Sequence, residues 1–92
     1  MKFEIILSDQ AKDDIEKLEK SGDKNSLKKL YFLLEELENH PTSGTGRPEL
    51  LKHYKIPTWS RRISNQHRLV YRIKEELVTV LILSARGHYD DK

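Results

Sequence analysis

The sequence predicts an α+β fold, with an N-terminal strand and a two-helix hairpin packed on a largely antiparallel sheet. Two observations carry this. Apolar residues in the first half recur at helical spacing, whereas the second half alternates with the period of a strand. The strands of the second half are separated by short turns rather than by helices, which favours antiparallel hairpins over a parallel sheet. At 92 residues the chain has the length of one domain, with a core that is real but thin.

Met1 to Leu7 is a short apolar run holding Lys2 and Glu4, and reads as the first strand. No small-residue cleavage site follows, so it is not expected to be a signal peptide. Ser8 can cap a helix, with Asp9 and Asp13 near its positive end and Ala11, Ile15 and Leu18 on its apolar face. Lys20-Ser21-Gly22-Asp23 interrupts the pattern, and Gly22 suits the position just past a helix end. A second helix is expected from about Asp23 to Asn39. Its apolar stripe is Leu27, Leu30, Tyr31, Leu34 and Leu37, with Lys24, Lys28, Glu35 and Glu38 outside. His40, before Pro41, closes it near its negative end.

Pro41 to Pro48 is the longest loop, and its two glycines lack the spacing and the Gly-Lys-Ser/Thr of a phosphate-binding loop. Strands follow at Glu49 to Tyr54, Trp59 to Ile63, His67 to Ile73 and Leu77 to Ala85. The turns lie at Lys55–Thr58, Ser64–Gln66 and Lys74–Glu76. The last strand is nearly all apolar and is expected to be central and covered on both faces. Parity places Leu69, Tyr71 and Ile73 under the helices, and Arg68, Val70 and Arg72 on the open face. In the preceding strand Ile63 faces the core while Ser60 and Arg62 face out, so Arg62 and Arg68 can converge, provided no bulge intervenes.

Charge is divided along the chain. Residues 1–46 hold seven Lys, no Arg and ten acids, a net −3; residues 47–92 hold ten bases and five acids, a net +5. All six arginines (Arg47, Arg61, Arg62, Arg68, Arg72 and Arg86) lie in the second part. Arginine suits bidentate phosphate contacts, so a polyanion is expected to dock on the C-terminal half. The competing reading is a basic sheet edge that resists aggregation. With no cysteine, disulfides, Cys-ligated zinc and a thiol nucleophile are excluded, as suits a reducing cytoplasm. His53, His67, His88 and the Asp90-Asp91 pair match no standard ligand spacing, so no metal or other cofactor is expected. No apolar run approaches the roughly 20 residues that cross a bilayer. Trp59 can stack on a base or pack in the core.

Four ordered blocks narrow the reading. They are Gly44-x-Gly46-Arg47-Pro48-Glu49-x-Leu51-Lys52-His53, Trp59-Ser60-Arg61-Arg62-Ile63, His67-Arg68-Leu69-Val70-Tyr71 and Arg86-Gly87-His88-Tyr89. Together they resemble the YoeB branch of the RelE/ParE toxin superfamily over residues 44–89, while the N-terminal half matches in layout alone. The resemblance implies one toxin domain over residues 1–92. It implies a cytoplasmic, metal-independent endoribonuclease of a type II toxin–antitoxin system that cuts mRNA in the ribosomal A site. It further implies a cognate antitoxin of the YefM/Phd type that masks the site, and it is compatible with a homodimer. By position, Glu49 is the general base, Arg68 the phosphate-stabilising group, His88 the general acid and Tyr89 its aligning or stacking neighbour. Lys52, His53, Arg61, Arg62 and Arg86 fall at RNA-binding positions.

The chain departs from the family pattern twice. Gln66 stands where a carboxylate is usual, and Asp90-Asp91-Lys92 extends the chain past Tyr89. The residue types nonetheless suit the chemistry. Metal-free RNA cleavage needs a base for the 2′-hydroxyl proton, an acid for the leaving 5′-oxygen and positive charge for the phosphorane. Two other functions fit the same scaffold: a toxin acting on DNA gyrase, which would not need the catalytic set, and a non-catalytic RNA-binding module.

Overall fold

The computed structural model describes residues 2–85. Strand β1 (Glu4–Leu7) leads into helix α1 (Asp9–Ser21) and helix α2 (Lys24–Leu37). Strands β2 (Glu49–Leu51), β3 (Thr58–Arg62), β4 (Arg68–Lys74) and β5 (Thr79–Ser84) follow, with a single 3₁₀ turn at Glu75–Leu77. The sheet order is β1-β5-β4-β3-β2. β2, β3, β4 and β5 pair antiparallel, and β5 returns beside β1 in parallel, so the sheet is mixed but largely antiparallel.

Local chemistry sets the helix ends as expected. Ser8 Oγ accepts the Ala11 N–H at 3.0 Å, and α1 stops where Gly22 turns left-handed at φ 82°. Asp23 caps α2 by accepting the Ser26 N–H at 3.1 Å. Ala11, Ile15 and Leu18 of α1 and Leu30, Leu33 and Leu37 of α2 bury against Leu69, Tyr71, Val80 and Ile82 of the sheet. The α2 stripe is rotated from the expected one. Leu33 is fully buried, whereas Tyr31 is 46% exposed and donates its hydroxyl to Glu19 at 2.6 Å. Tyr31 sits about 100° around the axis from Leu30, at the stripe's margin, where a phenol can keep its polar tip in water.

The helices cover one face of the sheet. β5 is central, as expected, but it is not enclosed on both sides. Val80 and Ile82 are buried under the helices, while Leu81 and Leu83 are half-buried. β2 is shorter than the expected strand from Glu49 to Tyr54, because the chain turns at Lys52-His53.

A bulge interrupts the β4–β5 ladder. Val70 pairs with Ser84 but Tyr71 pairs with Ile82, which leaves Leu83 as the extra residue. The parity of β5 reverses there: Ser84 takes the open face and Ala85 enters the core. The start of α1 satisfies the disturbed backbone. The Ser8 N–H donates to Ile82 O and Ser8 Oγ to Leu83 O, both at 2.9 Å, and the buried Asp14 carboxylate accepts the Ala85 N–H at 3.0 Å.

Candidate active site on the open sheet face

The strand register builds the site on the face turned away from the helices. Glu49 opens β2 and pairs with Ser60, Ser60 pairs with Val70, and Val70 pairs with Ser84. Side chains directly opposite in a sheet share a face, so these four residues form one row. In the neighbouring row Arg62 pairs with Arg68. The adjoining row on the other side contains Leu51, Thr58, Arg72 and Leu81. Glu49 therefore stands between a pair of arginines and a third arginine. Glu49 and Arg62 are exposed, and Arg68 is half-buried. Ser60 is buried in the middle, and its hydroxyl has no hydrogen-bond partner among the described residues.

Backbone geometry delivers Glu49 to this row. Gly46 is left-handed at φ 86° and accepts the Arg62 N–H at 2.7 Å, which ties the loop to the end of β3. A Cβ there would lie 3.0 Å from Arg62 O and 3.2 Å from Arg61 Cβ, so a side chain would crowd β3 and strain the backbone, and glycine suits this approach. Arg47 is also left-handed, at φ 52°, and Pro48 then leads the chain into β2.

Arg61 departs from its expected RNA-binding role. It shares the covered face with Trp59 and Ile63, and it is fully buried. Its Nη1 donates to Glu36 Oε1 at 2.7 Å and to Thr45 O at 3.4 Å; its Nη2 donates to Ser43 O at 2.7 Å and to His40 O; its Nε donates to the Tyr71 hydroxyl at 3.0 Å. Every guanidinium nitrogen is engaged inside the protein, so Arg61 cannot reach RNA. It gathers the loop from His40 to Thr45 around one buried charge. Glu36 completes the cluster by accepting the Thr45 N–H at 2.8 Å. The Tyr71 hydroxyl donates to Pro41 O at 2.9 Å. Burial pushes the Tyr71 phenol above its ordinary range, and the bond from Arg61 opposes that shift.

Lys52 and His53 are exposed in the turn that ends β2. Trp59 is half-buried against the core, which favours the packing role. Arg86, His88 and Tyr89 lie outside the described residues, as does the Asp90-Asp91-Lys92 extension. Among the described residues no cluster of His, Cys, Asp or Glu could hold a metal ion, and no helix is long and apolar enough to cross a membrane. Sequence reasoning missed Glu36 and Asp14 as polar anchors. Both are carboxylates on helix positions turned toward the sheet, a signal that periodicity offers when acids are scored with the apolar stripe.

This fold is that of the RelE/YoeB-type toxins. A YoeB/ParE toxin from Agrobacterium tumefaciens superposes with a TM-score of 0.85 at 30% identity, covering 95% of this chain and all of that one. YoeB from Staphylococcus aureus, seen as a dimer, superposes with a TM-score of 0.80 at 34% identity, covering 97% of this chain and all of its counterpart; a YoeB of that organism in a heterotetrameric YoeB–YefM complex superposes with a TM-score of 0.76. The toxin YoeB of Escherichia coli is 37% identical over 95% of this chain and its own whole length. Residues 7–89 match the model of the YoeB-like toxins of bacterial type II toxin–antitoxin systems, and the chain belongs to that family.

Proposed function

We propose that this chain is a ribosome-dependent endoribonuclease that cuts mRNA in the A site and so stops translation. The observation that carries the reading is the placement of Glu49 one row from Arg62 and Arg68 on an open sheet face. A carboxylate beside concentrated positive charge supports phosphodiester cleavage by a neighbouring hydroxyl, which requires a base and a charge-stabilising group. Glu49 takes the 2′-hydroxyl proton, the oxygen attacks the adjacent phosphorus, and Arg68 stabilises the charge on the phosphorane. His88 returns a proton to the departing 5′-oxygen, and Tyr89 aligns the substrate. The products are a 2′,3′-cyclic phosphate and a 5′-hydroxyl end. Lys52, His53, Arg62 and Arg86 hold the RNA, and the ribosome orders the mRNA for attack. No step uses a metal.

The cognate partner in this reading is a YefM-like antitoxin, in line with the YoeB–YefM complex of the Staphylococcus aureus relative, and it masks the site. Primer extension on mRNA from translating extracts tests the activity. New ends at A-site codons are expected with the protein and not with Glu49→Gln. Inhibition of DNA supercoiling without mRNA cleavage would replace this reading with a gyrase-directed toxin. Binding to ribosomal mRNA without cleavage would leave a non-catalytic RNA-binding module.

A further inference from the structure

We propose that Arg72 is a second phosphate anchor, gripping the RNA backbone on the side of Glu49 opposite to Arg62 and Arg68. The inference rests on the ribonuclease reading for its ligand and on the sheet register for its place. On β4 the open face presents Arg68, Val70 and Arg72 in succession. Val70 belongs to the row that holds Glu49, so the two arginines flank that row, roughly 13 Å apart along the strand. A single strand laid along β4 would cross the base with a cation on either side.

The Arg72 side chain is preset for this. Its Nε donates to Thr58 Oγ1 at 3.1 Å, and Thr58 Oγ1 in turn donates to Ile56 O at 2.8 Å. One donor is thus fixed, while the planar fork still offers its other nitrogens to an anion. Among the described residues no carboxylate lies within ion-pair distance of Arg72, in contrast to buried Arg61 on Glu36. On the face it lies between Thr58 and half-buried Leu81, with buried Val70 two residues before it on β4. A half-buried guanidinium with no counter-ion among the described residues favours an anion brought from outside, and a phosphate matches its bidentate geometry.

The test is binding of a fluorescent single-stranded oligoribonucleotide carrying 2′-O-methyl sugars throughout, which cannot be cleaved by this chemistry. Affinity is measured over a range of salt for the full chain and for Arg72→Gln, Arg72→Lys and Lys17→Gln. Lys17 pairs with Asp13 on α1 and controls for net charge. Arg72→Gln should weaken binding roughly tenfold. It should also lower the slope of log affinity against log salt by about 0.7, the value of one single-strand phosphate contact. Arg72→Lys should keep the slope and lose part of the affinity, because the charge remains but the bond to Thr58 does not. An unchanged slope in Arg72→Gln, or an equal loss in Lys17→Gln, overturns the anchor. Primer extension is scored separately. A wild-type chain that cleaves mRNA while Arg72→Gln keeps its slope refutes the anchor and leaves the ribonuclease reading. A chain that never cleaves but whose salt slope depends on Arg72 refutes the ribonuclease reading and leaves the anchor.

Discussion

Arg61 and Arg62 are neighbours in sequence and stand on opposite faces of one sheet. On the covered face, Arg61 is enclosed and its donors are distributed over Glu36, Tyr71 and three loop carbonyls. On the open face, Arg62 is exposed, pairs across the sheet with Arg68, and belongs to a surface built around Glu49. The difference teaches that strand parity, not residue type, decides what an arginine does here. One face uses guanidinium to organise backbone, and the other presents it to a ligand.

Five substitutions sharpen or break that comparison. The largest effect is expected on the open face. Glu49→Gln should lower single-turnover mRNA cleavage by about 10²–10⁴-fold, the range of a lost general base, while stability changes by no more than about 0.5 kcal/mol. Wild-type cleavage by Glu49→Gln would remove the base from this row. Next comes Arg61→Ala, which leaves the Glu36 carboxylate and the loop carbonyls without their partner. It should cost about 3–5 kcal/mol in urea denaturation, whereas Arg62→Ala should cost less than about 0.5 kcal/mol. Equal costs for the two would erase the distinction between the faces.

Gly44→Ala probes the loop that Arg61 gathers. A Cβ at Gly44 would lie 2.6 Å from Glu36 Oε1, and the residue holds φ 112°. The clash and the strain together should destabilise by about 1–3 kcal/mol. The same substitution without measurable cost would mean that the loop is not seated on Glu36.

The smallest effect concerns pH. Tyr71 has its pKa raised above 10.0, chiefly by burial. A raised pKa means that the folded state holds its proton longer than the unfolded state. The neutral phenol therefore contributes fully below its ordinary value, and that contribution declines as pH rises through 10.0 toward the folded value. Denaturation midpoints between pH 8 and 11 should fall less steeply for Tyr71→Phe than for the wild type. Parallel curves would show that Tyr71 does not titrate with unfolding.

Much of this architecture was legible in the sequence because its causes are local. Ser8 and Gly22 bound α1 by capping and by a left-handed turn, and both act within a few residues. Alternation along β4 separated Leu69 and Tyr71 from Arg68 and Arg72, since the pleat enforces it. The same alternation, applied to β3, puts Arg61 with Ile63 on the covered face. Its assignment to RNA followed the family resemblance instead, and the compensating Glu36 lies 25 positions away in sequence, beyond any local pattern. Tyr31 and Leu33 exchanged places for a similar reason. Both are apolar enough for the stripe, and contacts with the sheet settle which is enclosed. The bulge at Leu83 depends on pairing between distant strands, so no single segment announces it.

A pleated strand counts in twos, and the bulge at Leu83 adds one to the count. Up to Ile82 the even positions of β5 look toward the helices; past Leu83 the odd one does, and Ala85 sits where its small side chain and its N–H meet Asp14. The segment is therefore sensitive to phase more than to composition. Exchanging Leu83 for another apolar residue keeps the count, and deleting it would leave a regular ladder in which Ser84 follows Ile82 on the open face and Ala85 stays in the core. Removing Ser84 as well would put Ala85 directly after Ile82 and turn it to the open face. The grammar of this strand is arithmetic: its last described residue is held in place by the parity of what precedes it.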